Sequence, residues 1–239
     1  MKTTRWAIFL LVLVASNITT GYVVKKNVDH QRDMVEALAK MSRTNGPFIV
    51  IIGDSLTQNA RLPASVCGIP LINAGIGGSR ASTFIPFAEE MAARQLSPAL
   101  IVIALGINDA VLAYRTDFRA TYGLLIDSLP KSPIVLATLA PVDTNLPLAK
   151  MLNPSTIRSI DATIIEIAAS RRAPIIDLGA IVGIESRDGI HPTESTYHLW
   201  ITVIVSGIES ALKCDGALSR YRHIRRALKQ GKQKTIPPL

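Results

Sequence analysis

Five short apolar runs alternate with longer helix-like segments along the middle of the chain, and this alternation is the strongest constraint on its fold. The runs are rich in Ile, Val and Leu, as buried strands are, and they span residues 47–53, 69–73, 99–105, 133–139 and 174–178. Helices are predicted at 79–95, 112–129, 154–172 and 191–212. Strands that alternate with helices favour a parallel sheet covered by helices, so we expect an α/β fold.

A polar motif follows directly after each of the first three runs. The first is Gly53-Asp54-Ser55, the second is the glycine-rich segment 73–79, and the third is the Gly-Ile-Asn-Asp segment 106–109. The carboxyl ends of parallel strands meet at one edge of a sheet, and open α/β sheets bind ligands there. We therefore expect the three motifs to lie close together.

A fourth motif, residues 188–191, carries an aspartate and a histidine and completes the set of groups that acyl transfer needs. Ser55 can be the nucleophile, His191 the base that takes its proton, and Asp188 the acid that orients the imidazole. The developing oxyanion needs hydrogen-bond donors. The backbone N–H groups of Ser55 and Gly78 and the side-chain amide of Asn108 are the candidates.

With these four motifs in this order, the chain resembles the SGNH (GDSL) hydrolases, and the resemblance covers roughly residues 47–212. It implies a three-layer α/β/α, flavodoxin-like fold with a roughly five-stranded parallel sheet. It also implies a serine esterase, lipase or acyl-hydrolase that works without a metal. Carried over residue by residue, it makes Ser55, Asp188 and His191 catalytic and gives the oxyanion hole to Ser55, Gly78 and Asn108.

Simpler interpretations exist for the single motifs. Asp54 is expected to cap the turn after the first strand rather than to act chemically. The glycine-rich segment lacks the spacing of a dinucleotide loop, because Arg80 stands where that fingerprint needs glycine. The four histidines have no metal-ligand spacing. We therefore expect neither a metal nor a cofactor.

The first 24 residues have the pattern of an export signal or a membrane anchor. A basic start is followed by an unbroken apolar stretch from residue 6 to 15, and Lys25 and Lys26 follow. Residues 6–24 are just long enough to span a bilayer. We expect an extracytoplasmic enzyme held by one N-terminal transmembrane helix, with secretion after signal cleavage as the alternative.

Residues 25–46 are predicted to form a polar spacer helix, with Met34, Leu38 and Met41 on one apolar stripe. The helix could lift the hydrolase domain, residues 47–212, from the membrane, or it could pack back onto that domain. The two cysteines, Cys67 and Cys214, could form a disulfide or stay free.

Charge is distributed unevenly along the chain. Residues 47–212 hold 11 basic and 14 acidic residues, whereas the C-terminal tail, 213–239, holds 8 basic residues and 1 acidic residue. This tail could contact anionic lipid or glycan, or be solvated without a partner. No nucleic-acid-binding motif is present, and nucleic acid is a poor partner for an exported enzyme.

Together these features predict an exported serine ester hydrolase that acts through an acyl-enzyme on short-chain or O-acetyl esters. Acetylated cell-surface carbohydrate is the first substrate candidate, and a lipid acyl ester is the second. An acyltransferase would use the same residues. A non-catalytic, membrane-anchored module that binds glycan or lipid is the alternative from a different class.

Overall fold

The computed structural model of the protein describes residues 28–113 and 117–214. Its centre is a six-stranded sheet in the order β2-β3-β1-β4-β5-β6, in which only β2 runs antiparallel to its neighbour. The strands are β1 (Ile49–Gly53), β2 (Ser65–Val66), β3 (Ile69–Gly75), β4 (Leu100–Ala104), β5 (Ile134–Ala137) and β6 (Ile175–Ile176).

Helices cover both faces of this sheet. They are α1 (28–43), α2 (Ser55–Gln58), α3 (Ile85–Ala93), α4 (Phe118–Ser128), α5 (Pro154–Arg171) and α6 (Tyr197–Ala211), with short 3₁₀ turns at Ala81–Phe84, Ile107–Ala110 and Ala149–Met151. One apolar cluster joins the sheet to α1, α3, α4 and α5, and a second joins the opposite face to α2 and α6. The expected three-layer α/β/α fold is therefore confirmed.

The register of the central strands aligns the ends that precede the motifs. Gly53, at the end of β1, pairs with Gly75 of β3 on one side and with Ala104 of β4 on the other. Strands β1 and β4 are buried over their whole length, which explains why they are apolar at every position. The segments that follow β1, β3 and β4 therefore leave the sheet at one edge, as the sequence predicts.

Several predicted boundaries are wrong. The sheet has a sixth strand, β2, because two residues without an apolar run pair with the start of β3. The helix expected from 112 begins at Phe118, where Asp117 accepts a hydrogen bond from the Ala120 N–H. The helix expected from 191 begins only at Tyr197. Pro192 instead forms a bridge with Ser186.

Helix α1 packs against the domain rather than standing away from it. Ala37, Leu38 and Met41 are buried in the first apolar cluster, and Met34 packs beside them. Of the two positions that the sequence leaves open for this helix, the described residues take the packed one.

Cys67 and Cys214 form a disulfide, with their Cα atoms 6.1 Å apart. The bridge joins the β2–β3 turn to the residues just after α6. No helix among the described residues is both long enough and apolar enough to span a bilayer. The predicted anchor (1–24) and most of the basic tail lie outside the described residues.

Candidate active site

Ser55 stands at the first position of α2, immediately after β1. Asp54 caps this short helix, since its Oδ1 accepts a hydrogen bond of 2.9 Å from the Leu56 N–H. The turn is tight, because a Cβ at Gly53 would collide with the side chain of Thr57. A buried strand and a capped turn thus hold the Ser55 hydroxyl at the edge of the sheet.

Ser55, His191 and Asp188 form one chain of hydrogen bonds. The Ser55 Oγ lies 2.8 Å from the His191 Nε2, and the His191 Nδ1 lies 2.7 Å from the Asp188 Oδ2. The structure thus brings together residues that are 136 positions apart in sequence. In this arrangement the imidazole can take the serine proton while the carboxylate stabilises its charged form.

Asp188 is held ionised by its surroundings. Desolvation raises the pKa of its carboxyl group, but hydrogen bonds from the His191 and Ile190 N–H groups and from the His191 ring outweigh it and lower the pKa to about 2. The carboxylate is therefore charged at any pH at which the enzyme would work.

Ser186 organises the loop that carries these two residues. Its hydroxyl accepts a 2.7 Å hydrogen bond from the Gly189 N–H and donates one of 3.1 Å to the His191 carbonyl. The sequence motif at 188–191 did not reveal this residue, since a serine five positions before a histidine carries no signal of its own.

Gly78 lies in a tight turn beside the nucleophile. The Ser79 N–H donates to the Ile76 carbonyl at 3.2 Å, and Gly78 has a φ of +70°, which together mark a type II turn. A Cβ built on Gly77 would lie 4.0 Å from the Ser55 Cβ. The turn is thus next to the serine.

Asn108 is joined to the same segment. Its Nδ2 donates a 3.0 Å hydrogen bond to the Ser79 carbonyl and retains a second N–H. The structure therefore collects all three predicted oxyanion groups, Ser55, Gly78 and Asn108, around one edge of the sheet.

Two buried aspartates lie behind the nucleophile. Desolvation, with a smaller contribution from the nearby charge of Asp109, raises the pKa of Asp54 to about 7 against the hydrogen bond from the Leu56 N–H. Desolvation likewise raises the pKa of Asp109 to about 6, against a hydrogen bond from the Ala81 N–H. Asp54 caps the helix as expected. Asp109 ties its 3₁₀ turn, Ile107–Ala110, to the start of the earlier 3₁₀ turn, Ala81–Phe84.

Helix α1 also reaches the site, which the sequence did not predict. The His30 Nε2 lies 2.9 Å from the Gly77 carbonyl, a contact between residues 47 positions apart. Within 28–113 and 117–214, no cluster of three or more His, Cys, Asp or Glu side chains could hold a metal ion.

The fold and this chain of side chains define a serine hydrolase of the α/β/α type. The chain belongs to the GDSL-like lipase/acylhydrolase family, whose model matches residues 51–199, more than half of the sequence. The resemblance to the SGNH (GDSL) hydrolases is thereby confirmed. So is the prediction of an ester-hydrolysing enzyme.

Solved structures share the fold at low sequence identity. A lipase/acylhydrolase from Enterococcus faecalis is 21% identical with a TM-score of 0.57, covering 69% of this chain and 96% of its own. An aryl esterase from M. smegmatis is 16% identical, with a TM-score of 0.56 and coverage of 70% and 100%.

A carbohydrate acetylesterase from Sinorhizobium meliloti is 16% identical, with a TM-score of 0.55 and coverage of 69% and 99%. No curated protein matches the sequence. At these identities the solved structures establish the fold, and the family model establishes the family.

Proposed function

We propose that the protein is an exported serine esterase that removes short acyl groups, acetyl above all, from carbohydrate. The observation that carries the catalytic part is the hydrogen-bonded chain from Ser55 through His191 to Asp188. Ser55 attacks the acyl carbonyl while His191 takes its proton. The protonated imidazole then returns the proton to the leaving alcohol, and water, activated by the same histidine, releases the acyl group.

The oxyanion of each tetrahedral intermediate would be bound by three donors. These are the Ser55 and Gly78 N–H groups and the free N–H of the Asn108 amide. Their placement by strand ends and a tight turn means that little reorganisation is needed as charge develops on the oxygen.

A small cavity next to the nucleophile bears on the size of the acyl group. It is lined by Asp54 and Leu56, which flank Ser55, by Ile190, which precedes His191, and by apolar residues such as Ala104 and Ile107; Ser55 and His191 do not line it. Its volume of about 20 Å³ accepts one water-sized group. An acyl group that entered this space would therefore have to be short.

A larger groove of about 490 Å³ favours a polar alcohol. It lies between residues 141–143, which follow β5, and the loop that carries the histidine. Its polar lining includes Asp143, Glu185, Ser186 and Thr193. Hydroxyl and carboxylate oxygens of this kind accept hydrogen bonds from sugar hydroxyls. The carbohydrate acetylesterase among the structural neighbours is consistent with this substrate class.

Export is supported by the disulfide between Cys67 and Cys214, since such bonds persist in oxidising compartments. The basic, apolar N-terminal sequence supports an anchor in the membrane, with the catalytic domain outside the cytoplasm. Trapping free thiols in intact cells, before and after reduction, tests the pairing. Two cysteines alkylated without reduction would contradict the pairing and remove this support for export.

The catalytic proposal is tested by hydrolysis of p-nitrophenyl esters from acetate to octanoate by the full-length chain. We expect the acetate to be preferred, and Ser55→Ala to lower turnover by about 10⁴–10⁶, as loss of one member of a cooperating triad does. Thr57, buried beside Ser55, offers a matched control, because Thr57→Val alters the same turn without removing the nucleophile.

Other outcomes identify the competing functions. A preference for octanoate would indicate a lipid acyl-hydrolase, and acyl transfer to an added alcohol would indicate an acyltransferase. A folded chain that neither hydrolyses esters nor reacts with a serine-directed phosphonate would be a binding module.

A further inference from the structure

We propose that His30 is a positioning residue that fixes the orientation of the Gly78 oxyanion donor. This inference rests on the proposed function, because the Gly78 N–H matters to catalysis only if an oxyanion binds there. It assigns a role in the reaction to helix α1, which lies outside the segment matched by the family model.

The first observation is a hydrogen bond from α1 to the oxyanion turn. The His30 Nε2 lies 2.9 Å from the Gly77 carbonyl oxygen, and His30 is partly buried. A carbonyl oxygen can only accept, so the Nε2 carries the proton and donates it.

The Gly77 carbonyl and the Gly78 N–H belong to the same peptide unit. That unit is planar and trans, so its C=O and N–H point in opposite directions and rotate together. A donor that holds the Gly77 oxygen on one side therefore holds the Gly78 N–H on the other. Hydrogen bonding at the carbonyl also polarises the peptide and makes its N–H a stronger donor.

The turn itself does little to fix the orientation of the peptide between Gly77 and Gly78. Types I and II differ mainly in which way the central peptide faces, and here that peptide joins Gly77 to Gly78. Glycine accepts the backbone angles of both types at low cost. With glycine at both central positions, contacts from outside the turn help to select the type II orientation, and the hydrogen bond from His30 to the Gly77 carbonyl is one of them.

A second contact from α1 acts on the same turn. The Gln58 Nε2 donates a 3.1 Å hydrogen bond to the Asp33 Oδ2, and a Cβ at Gly77 would lie only 2.7 Å from the Gln58 Oε1. Gln58 thus lies against Gly77, and Asp33 holds the Gln58 side chain in this position. His30 and Asp33 are three residues apart, so they share one face of the helix.

The helix can serve as a support because the face that carries His30 is packed against the domain further along the helix, at positions eight and eleven residues later. Leu38 and Met41 are 4% and 1% exposed, inside the apolar cluster that also contains β-strand residues. His30 is therefore presented by a rigid element rather than by a free terminal segment.

The test compares His30→Ala, His30→Gln and Glu36→Ala in the full-length chain, with p-nitrophenyl acetate as substrate. We expect His30→Ala to lower kcat and kcat/KM together by roughly ten- to hundredfold, the pattern of a lost transition-state contact. Gln places an N–H donor near the position of the imidazole Nε2, so His30→Gln should recover most of the activity. Glu36 is exposed on the same helix and makes no side-chain hydrogen bond or ion pair with the described residues, so Glu36→Ala should match the unsubstituted chain.

A second readout is the rate of reaction with a serine-directed phosphonate, whose phosphoryl oxygen occupies the oxyanion site. It should fall in His30→Ala in proportion to kcat, while the thermal unfolding midpoint stays close to that of the unsubstituted chain. Full activity in His30→Ala would overturn the inference. Equal losses in His30→Ala and His30→Gln, accompanied by a lower unfolding midpoint, would overturn it as well, because they indicate a structural role. Absence of Ser55-dependent turnover in the unsubstituted chain would reject the proposed function, and this inference with it.

Discussion

The serine side and the histidine side of the site are built in different ways. On the serine side, Ser55, the turn at 76–79 and Asn108 each follow a strand, and the strands end in register at Gly53 and Gly75. Core packing therefore places these groups. A change in their position would require the sheet itself to shift.

On the histidine side the sheet contributes little. Strand β6 has two residues, and from 177 to 196 the chain forms neither helix nor ladder, apart from one bridge between Ser186 and Pro192. The loop is held by hydrogen bonds such as that from the Thr193 N–H to the Glu185 carbonyl, 2.8 Å long, and by Leu178, Ile181, Ile184 and Ile190, which pack against the apolar clusters. Local hydrogen bonds and a few apolar contacts thus replace the strand pairing that places the serine side.

The largest effect on activity in a test of this contrast is expected from Asp188→Asn. An asparagine can keep the hydrogen bonds from the Ile190 and His191 N–H groups through its Oδ1, but it then presents Nδ2, a donor, to the imidazole Nδ1. Turnover should fall by about 10⁴, since the wrong tautomer of His191 is then favoured. Turnover within tenfold of the unsubstituted enzyme would show that the carboxylate does not orient the base.

Asn108→Ala tests the serine side and should cost less. Removing one oxyanion donor lowers kcat by roughly 10²–10³. KM should change little, because the donor acts mainly on the charge that develops in the transition state. Steady-state kinetics with acetate and butyrate esters check this. An equal loss of substrate affinity would instead assign Asn108 to substrate binding.

Ser186→Ala should lower turnover by roughly tenfold, because it loosens the histidine loop without removing a reacting group. It leaves the Gly189 N–H and the His191 carbonyl without their shared partner. Ser186→Thr retains the hydroxyl and is the matched control. If both variants lost activity equally, the space around Ser186 rather than its hydrogen bonds would be responsible.

Asp54→Asn should change turnover least, by no more than about threefold, because asparagine caps a helix as well as aspartate does. Its effect is on stability. The pKa of Asp54 is about 7 in the native state and 3.8 as the reference value, so the native state binds more protons between these pH values. The free energy of unfolding of the native enzyme should therefore decrease as pH rises from about 4 to 7.

In Asp54→Asn this decrease should be shallower, although Asp109 retains its own contribution of the same sign. Chemical denaturation of both proteins at pH 4.5, 6 and 8 measures how the free energy of unfolding depends on pH. Parallel pH profiles for the two proteins would show that Asp54 does not titrate in this range.

The contrast also explains what could be predicted from sequence. The strands before the motifs were located to within two residues, because buried parallel strands are apolar at every position. The place of the serine side of the site could be predicted from these strands, because the carboxyl ends of adjacent parallel strands lie together. On the histidine side, Pro192 resembles the start of a helix, and only contacts with the distant 185–187 segment show that it is not.

Two further features carry no local signal. Strand β2 has only two residues, too few for any periodicity. The contact of His30 with Gly77 depends on how α1 packs against the domain. The apolar stripe at Leu38 and Met41 predicts that this face of the helix is buried, but not the direction in which the helix lies. Both arise from tertiary packing.

The two edges of the sheet have a consequence for self-association. Each edge strand, β2 and β6, is two residues long, whereas the central strands have four to seven. A sheet edge can recruit another chain only where a run of backbone N–H and C=O groups is unpaired. The disulfide at Cys67 also holds the turn beside β2 in place. The edge strands β2 and β6 therefore offer only a short template for cross-chain strand pairing, which limits amyloid-like association of the folded form at these two strands.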